Sequence, residues 1–168
     1  DDDRNMHYLG REYYFYRRWE DAIRTLEHHL QMPSATWADE RCASMRYIAR
    51  CQNALRRKDE AKRWLWRAIG EAQHLREPYL DMAKVLYEEK DWDGLVHMCR
   101  TALRITERPK TYICEAESWG SRPYDYLSLG LYYTGRPKEA LDAVRKAIEL
   151  SPTEERLRVN EKFMLDAI

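Results

Sequence analysis

MHYLGREYYFYRRWEDAIRTLEHHL, residues 6–30, is the stretch whose reading decides the fold. Met6, Leu9, Tyr13 and Tyr16 recur at three- and four-residue spacing and share one helix face. Trp19, Ala22, Ile23, Leu26 and Leu30 do the same on a second helix. Only Arg17-Arg18 separates the two, which is too short for anything but an antiparallel helix pair. Gly10 interrupts the first helix with a residue of minimal volume, as expected where two helix backbones must approach closely.

The same pair recurs along the chain. Leu9-Gly10 is echoed by Ile48-Ala49, Met82-Ala83 and Leu127-Ser128, at offsets of 39, 34 and 45 residues. Two further columns repeat those offsets: Leu26, Leu65, Cys99 and Val144, then Leu30, Ile69, Leu103 and Ile148. The position before the last column holds His29, Ala68, Ala102 and Ala147. A period of 34 with two inserts predicts repeats at about 3–34, 42–75, 76–109 and 121–154 within one domain. A capping helix over about 154–168 follows, with Leu157, Phe163 and Leu165 apolar and a polar outer face. Enlarging Ala49 or Ala83 to Leu is expected to cost on the order of 1–3 kcal/mol by overpacking.

Composition agrees. Six Gly and six Pro in 168 residues leave few turns, so long helices are favoured over a barrel or sandwich of short strands. Net charge is zero, which excludes nucleic-acid or membrane-surface binding driven by bulk charge. No apolar run reaches the roughly 20 residues of a membrane span. The chain opens on Asp1-Asp2-Asp3-Arg4, unlike a secretory signal, and without Met; a piece of a longer cytoplasmic protein is expected. Cys42, Cys51, Cys99 and Cys114 are scattered and read as reduced thiols, with Cys51 and Cys99 on apolar helix faces.

Leu9-Gly10, Tyr13, Ala22 and Leu26, and more fully Leu127, Gly135, Ala140, Ala147 and Pro152, resemble the tetratricopeptide (TPR) signature. Leu95 stands where Ala is usual, and the second unit lacks a closing Pro. The resemblance implies an all-α, right-handed alpha-alpha superhelix: a TPR-like solenoid of four helix pairs plus the C-terminal cap. A narrower resemblance rests on Tyr8-Leu9-Gly10-Arg11-Glu12-Tyr13-Tyr14, Ala35-Thr36-Trp37, Arg46-Tyr47-Ile48-Ala49-Arg50-Cys51, Trp119-Gly120 and Pro123-Tyr124-Asp125. These look like the TPR region that follows the catalytic domain of bacterial family 2 glycosyltransferases. That family's nucleotide-sugar chemistry sits in a separate domain, so an accessory region that positions acceptor or partner is implied.

No phosphate-cradling glycine loop, H-E-x-x-H or G-x-S-x-G occurs, so catalysis and a bound cofactor are not expected of this stretch. Asp1-Asp2-Asp3 reads as a solvated helix start that complements the dipole, in preference to a metal cluster. His28-His29 read as cations complementing a helix C-terminus, in preference to metal ligands.

Binding is therefore sought on the first helix of each pair, which lines the concave side of such stacks. The candidates are His7, Arg11, Tyr14 and Phe15, then Arg46, Arg50 and Asn53, then Leu80, Lys84 and Tyr87, then Asp125, Leu129 and Tyr132. Arg offers a planar fork and Tyr a rigid surface with a polar tip, a set that suits a protein or peptide ligand; an ordinary solvated groove is the competing reading. The carboxylate clamp of some TPR proteins is disfavoured, because its positions hold His7, Arg11, Tyr47, Glu77 and Asp81. Residues 41–76 carry ten Lys/Arg against three Asp/Glu, a basic block that reads mainly as a solvated face and otherwise as an attractor of acidic ligands. The inserts bring Trp37, Tyr112 and Trp119, either as loop contacts to a ligand or as a plug on neighbouring helices. A free-standing peptide adaptor and a homodimer through Trp37, Trp92 or Trp119 are the alternative functions.

Overall fold

A computed structural model describes residues 2–168; Asp1 lies outside them. The described residues form nine α-helices and no strand. They are α1 Asp2–Phe15, α2 Trp19–Gln31, α3 Ala38–Ala54, α4 Lys58–Glu71, α5 Glu77–Glu89, α6 Trp92–Leu103, α7 Arg122–Tyr133, α8 Pro137–Leu150 and α9 Glu155–Asp166. A short 3₁₀ segment, Ala116–Trp119, lies in the longer insert. The chain divides into two compact units, Asp1–Asp81 and Met82–Ile168, with the boundary inside α5. The fold is all-α and TPR-like, built from antiparallel hairpins.

The helix-to-helix turn is the same in every hairpin. Arg17, Arg56, Lys90 and Gly135 all take positive φ, between 58° and 76°. At each turn the next amide reaches back five residues and the positive-φ residue itself reaches back three. Arg18 N donates to the Tyr13 carbonyl and Arg17 N to that of Tyr14, at 2.9 Å each; Arg136 and Gly135 do the same to Leu131 and Tyr132. This is the Schellman arrangement, which satisfies the orphan carbonyls at a helix end.

In the first unit α1 packs on α2 and α3, and α3 on α2 and α4. Ala22, Ile23, Leu26, Ile48 and Cys51 form a buried core, flanked by Tyr13, Tyr14, Trp19, Tyr47 and Trp64. Gly10 is small for the expected reason: a Cβ there would stand 2.5 Å from Leu26 Cγ. Leu9, unlike its buried counterparts Ile48, Met82 and Leu127, is 44 % exposed. Tyr16, placed with Leu9 on the apolar stripe, is likewise exposed.

In the second unit α6 packs on α7, α7 on α8 and α8 on α9. The tightest crossing uses a residue the pattern did not single out. A Cβ on Gly130 would meet Val96 Cγ2 at 2.7 Å and the Trp92 carbonyl at 3.2 Å, a stiff side chain and a backbone. Helix α9 buries Leu157 and Met164, while Val159, Phe163 and Leu165 are exposed. Its outer face is thus less polar than a solubilising cap was expected to be, because Met164 and not its neighbours takes the inward position.

Candidate functional site

In the first unit the α1–α3 surface mixes guanidinium and ring. Arg11 lies over Tyr8, 5.2 Å from the ring centroid, and Arg50 over Tyr47 at 5.3 Å. Tyr14, half-buried, packs on Tyr47 and Trp19 with centroids 5.0 and 5.6 Å away, and on the exposed Phe15. Arg46 Nε and Arg50 Nε and Nη2 all donate to the Asp81 carboxylate, at 3.0, 3.1 and 2.8 Å. Burial disfavours that carboxylate's charge, but the two guanidiniums outweigh it and hold Asp81 below the usual carboxylate range. Asn53 is half-buried on the same helix.

Three candidates of this unit are not surface groups at all. His7 and Arg46 are both buried, as is Leu80 in the corresponding position of α5. That column lies one turn before the half-exposed Arg11 and Arg50, and it points into the hairpin packing. His7 instead belongs to an internal polar chain. Ser44 Oγ stands 2.7 Å from His7 Nδ1 and 2.8 Å from His29 Nδ1. Burial, followed by the charges of His29, Arg11 and Arg46, lowers His7 to about 3, so it is neutral at pH 7.

His29 also departs from expectation. It is fully buried, and burial lowers its pKa despite the opposing pull of Glu40. It is therefore no cation at the end of α2; only exposed His28 keeps that place. Its Nε2 faces Glu40 Oε1 at 3.4 Å and makes no hydrogen bond. Asp3, half-buried on the first turn of α1, joins them: one ligand atom from each of Asp3, His29 and Glu40 lies within 4.8 Å of the others. Asp3 is half-buried at that helix start, whereas Asp2 is exposed.

The second unit holds a cleft of about 670 Å³, where the start of α7, the end of α8 and the start of α9 meet the 3₁₀ segment. Tyr87 and Tyr126 form one wall, their rings 5.7 Å apart. Across it, Arg156 grips Asp125 with both arms, Nη1 to Oδ1 at 3.1 Å and Nη2 to Oδ2 at 2.5 Å. Arg122 reaches Glu117 at 2.7 Å, and Ser151 donates to Ser121 at 2.8 Å. Of the predicted residues, Tyr87, Asp125 and Leu129 come together here. Lys84 is exposed on α5, and Tyr132 is half-buried against Tyr133. Arg156 was missed because a terminal helix outside the repeat delivers it, and Ser121 and Tyr126 because nothing in the spacing marks them beside Asp125.

The inserts are packed as well as decorated. Ile113 and Ser118 anchor the longer one, with Trp119 half-buried and Tyr112 exposed. In the shorter one Ala35 is buried, and Trp37 lies beneath the Arg4 guanidinium at 5.7 Å. Arg41 closes that loop by donating to the carbonyls of Leu30 and Ala35, at 2.9 and 3.1 Å. Trp92, offered for dimerisation, is stacked on Tyr133 at 4.4 Å. The four cysteines are free thiols, and burial pushes Cys42 and Cys51 up to about 12. Among the described residues no helix is long and apolar enough to cross a membrane.

No protein-family model matches the sequence, and no curated protein matches it either. Solved structures do resemble the fold. The crystal structure of MamA protein superposes with a TM-score of 0.75 at 13% identity, covering 98% of this chain and 81% of that one. PilF of Pseudomonas aeruginosa gives 0.76 at 16% identity, covering 97% and 67%. A double mutant of MamA RS-1 gives 0.74 at 16%, covering 98% and 83%. At such identities the likeness is one of fold.

Proposed function

We propose that this chain is a non-catalytic interaction scaffold that takes an extended peptide segment of a partner protein, with the cleft of the second unit as its seat. The supporting observation is the combination inside that cleft: a tyrosine wall beside the Asp125–Arg156 pair and Arg122. Tyr87 and Tyr126 supply rigid contact area, and the exposed parts of Arg122 and Arg156 offer donors to a peptide carbonyl or carboxylate. Lys84 and Tyr132 extend the surface in this unit. Arg11, Tyr14, Arg50 and Asn53 offer a second contact area in the other, with Trp37, Tyr112 and Trp119 as loop contacts.

An accessory role beside a family 2 glycosyltransferase domain rests on the resemblance of residues 8–14, 35–37, 46–51, 119–120 and 123–125 alone. Panning a displayed random-peptide library on the chain tests the peptide reading. A consensus is expected whose synthetic peptide loses more than tenfold in affinity with Tyr87→Ala plus Arg122→Ala. Failure to enrich any consensus, or an affinity indifferent to those substitutions, removes the cleft as the seat.

A further inference from the structure

We propose that Asp3, His29 and Glu40 form a binding site for one divalent transition cation of the zinc, manganese or cobalt class. The site lies in the first unit and stands apart from the peptide reading. One imidazole nitrogen and two carboxylates are the donor set such ions take, and it leaves coordination positions for water.

The argument starts from a single hydroxyl. Ser44 Oγ touches Nδ1 of both His7 and His29 but has one proton to give. When it donates to His7, it accepts from His29 Nδ1–H, and the lone pair of His29 Nε2 points at Glu40. When it donates to His29 instead, Nε2 carries a proton that meets Glu40 Oε1 at 3.4 Å, a long and poorly aligned contact. In the first arrangement a fully buried lone pair stands beside two carboxylates with no donor to meet it. A buried polar atom in that state is costly. A cation coordinated by Nε2 removes the deficit in the first arrangement.

The spacing suits this. Donors about 2.0–2.1 Å from a tetrahedral ion lie about 3.3 Å from one another. His29 Nε2 and Glu40 Oε1 are 3.4 Å apart, one edge of such a tetrahedron. The 4.8 Å bound on the full set asks for an inward swing of at most about 1.5 Å, available to the half-buried Asp3 side chain. Outer partners are in place. Ser44 fixes the imidazole orientation, and Arg4 Nε donates to Glu40 Oε2 at 3.3 Å, on the oxygen away from His29. Arg4 opposes a cation by charge, and its side chain, 46 % exposed, is screened by solvent. Arg41, the other nearby cation, is directed to Glu71 at 2.7 Å.

The test uses the 168-residue chain without an affinity tag, stripped with chelator. Zn²⁺ is titrated by calorimetry at neutral pH, and Co²⁺ by visible absorption. One equivalent is expected, with the visible band of four- or five-coordinate cobalt and no thiolate charge-transfer band. Asp3→Asn and Glu40→Gln should each weaken Zn²⁺ binding by more than tenfold while leaving helicity unchanged. Ser44→Ala should weaken it by about 10–100-fold. His29→Gln should abolish the cobalt band; because His29 is buried, Asp3→Asn on the first turn serves as the variant least able to disturb folding. Absence of binding, or binding unaltered in Asp3→Asn and Glu40→Gln, overturns the assignment.

Discussion

Asp81 receives Arg46 and Arg50 together, and Arg46 is buried. Removing the carboxylate's charge strands part of that guanidinium's, so Asp81→Asn is expected to cost about 2–3 kcal/mol at pH 7. The sign with pH follows from the depressed carboxylate. Its stabilisation is complete above the unfolded value of about 3.9 and is lost as pH falls toward and through the lower folded value. Urea unfolding at pH 7 and again near pH 3 should therefore show the gap between wild type and Asp81→Asn closing with acid. A gap constant in pH would mean that the carboxylate's charge is not the source of the stabilisation. The residue scale is also where the sequence was least transparent. His29 shares its column with Ala68, Ala102 and Ala147, all buried, so the column itself signalled that the imidazole would be enclosed. Reading it by its place near a helix end overlooked that. His7 and Arg46 misled for a related reason: a polar residue type suggests a surface, and only packing shows that the position points inward.

Elements were far more legible. Apolar periodicity and three shared offsets placed helix pairs because each hairpin must bury the same face, and burial leaves a mark at every turn of the helix. The positive-φ residues Arg17, Arg56, Lys90 and Gly135 recur at those same offsets of 39, 34 and 45. Sequence could not reveal this, since three of the four are not glycine. A left-handed conformation costs an L-residue about 1–2 kcal/mol, partly offset in glycine by its greater unfolded-state entropy. Arg56→Gly and Lys90→Gly should thus each stabilise by about 0.5–1 kcal/mol, and Gly135→Ala should destabilise by about 1 kcal/mol. Chemical denaturation of the three variants decides this; an opposite order would mean that the side chains of Arg56 and Lys90 contribute more than their backbones cost. The candidate cleft was half legible. Tyr87 and Asp125 sit on the helix face that the repeat defines, whereas Arg156 comes from a terminal helix outside the repeat.

At the scale of the molecule, the basic block of residues 41–76 has to be weighed against a net charge of zero. Much of the block is already engaged. Arg41 pairs with Glu71 and Arg63 with Glu60 inside it; Arg50 and Arg46 reach Asp81, and Arg57 reaches Glu20, outside it. The exposed pairs among them, Arg63–Glu60 and Arg57–Glu20, contribute little stability, about 0–1 kcal/mol each, but all of them shorten the reach of the positive field. At physiological salt, charges further apart than about 8 Å are largely screened from one another. A polyanion thus meets paired arginines with carboxylates at their side and displaces few counterions. The expected outcome is that the chain passes a heparin column near pH 7 or leaves it below about 0.2 M salt, where each engaged phosphate-like contact weakens binding steeply. Retention beyond about 0.5 M would show that the block acts as an open anion-binding face, and would move the search for a partner from the cleft of the second unit to α3 and α4.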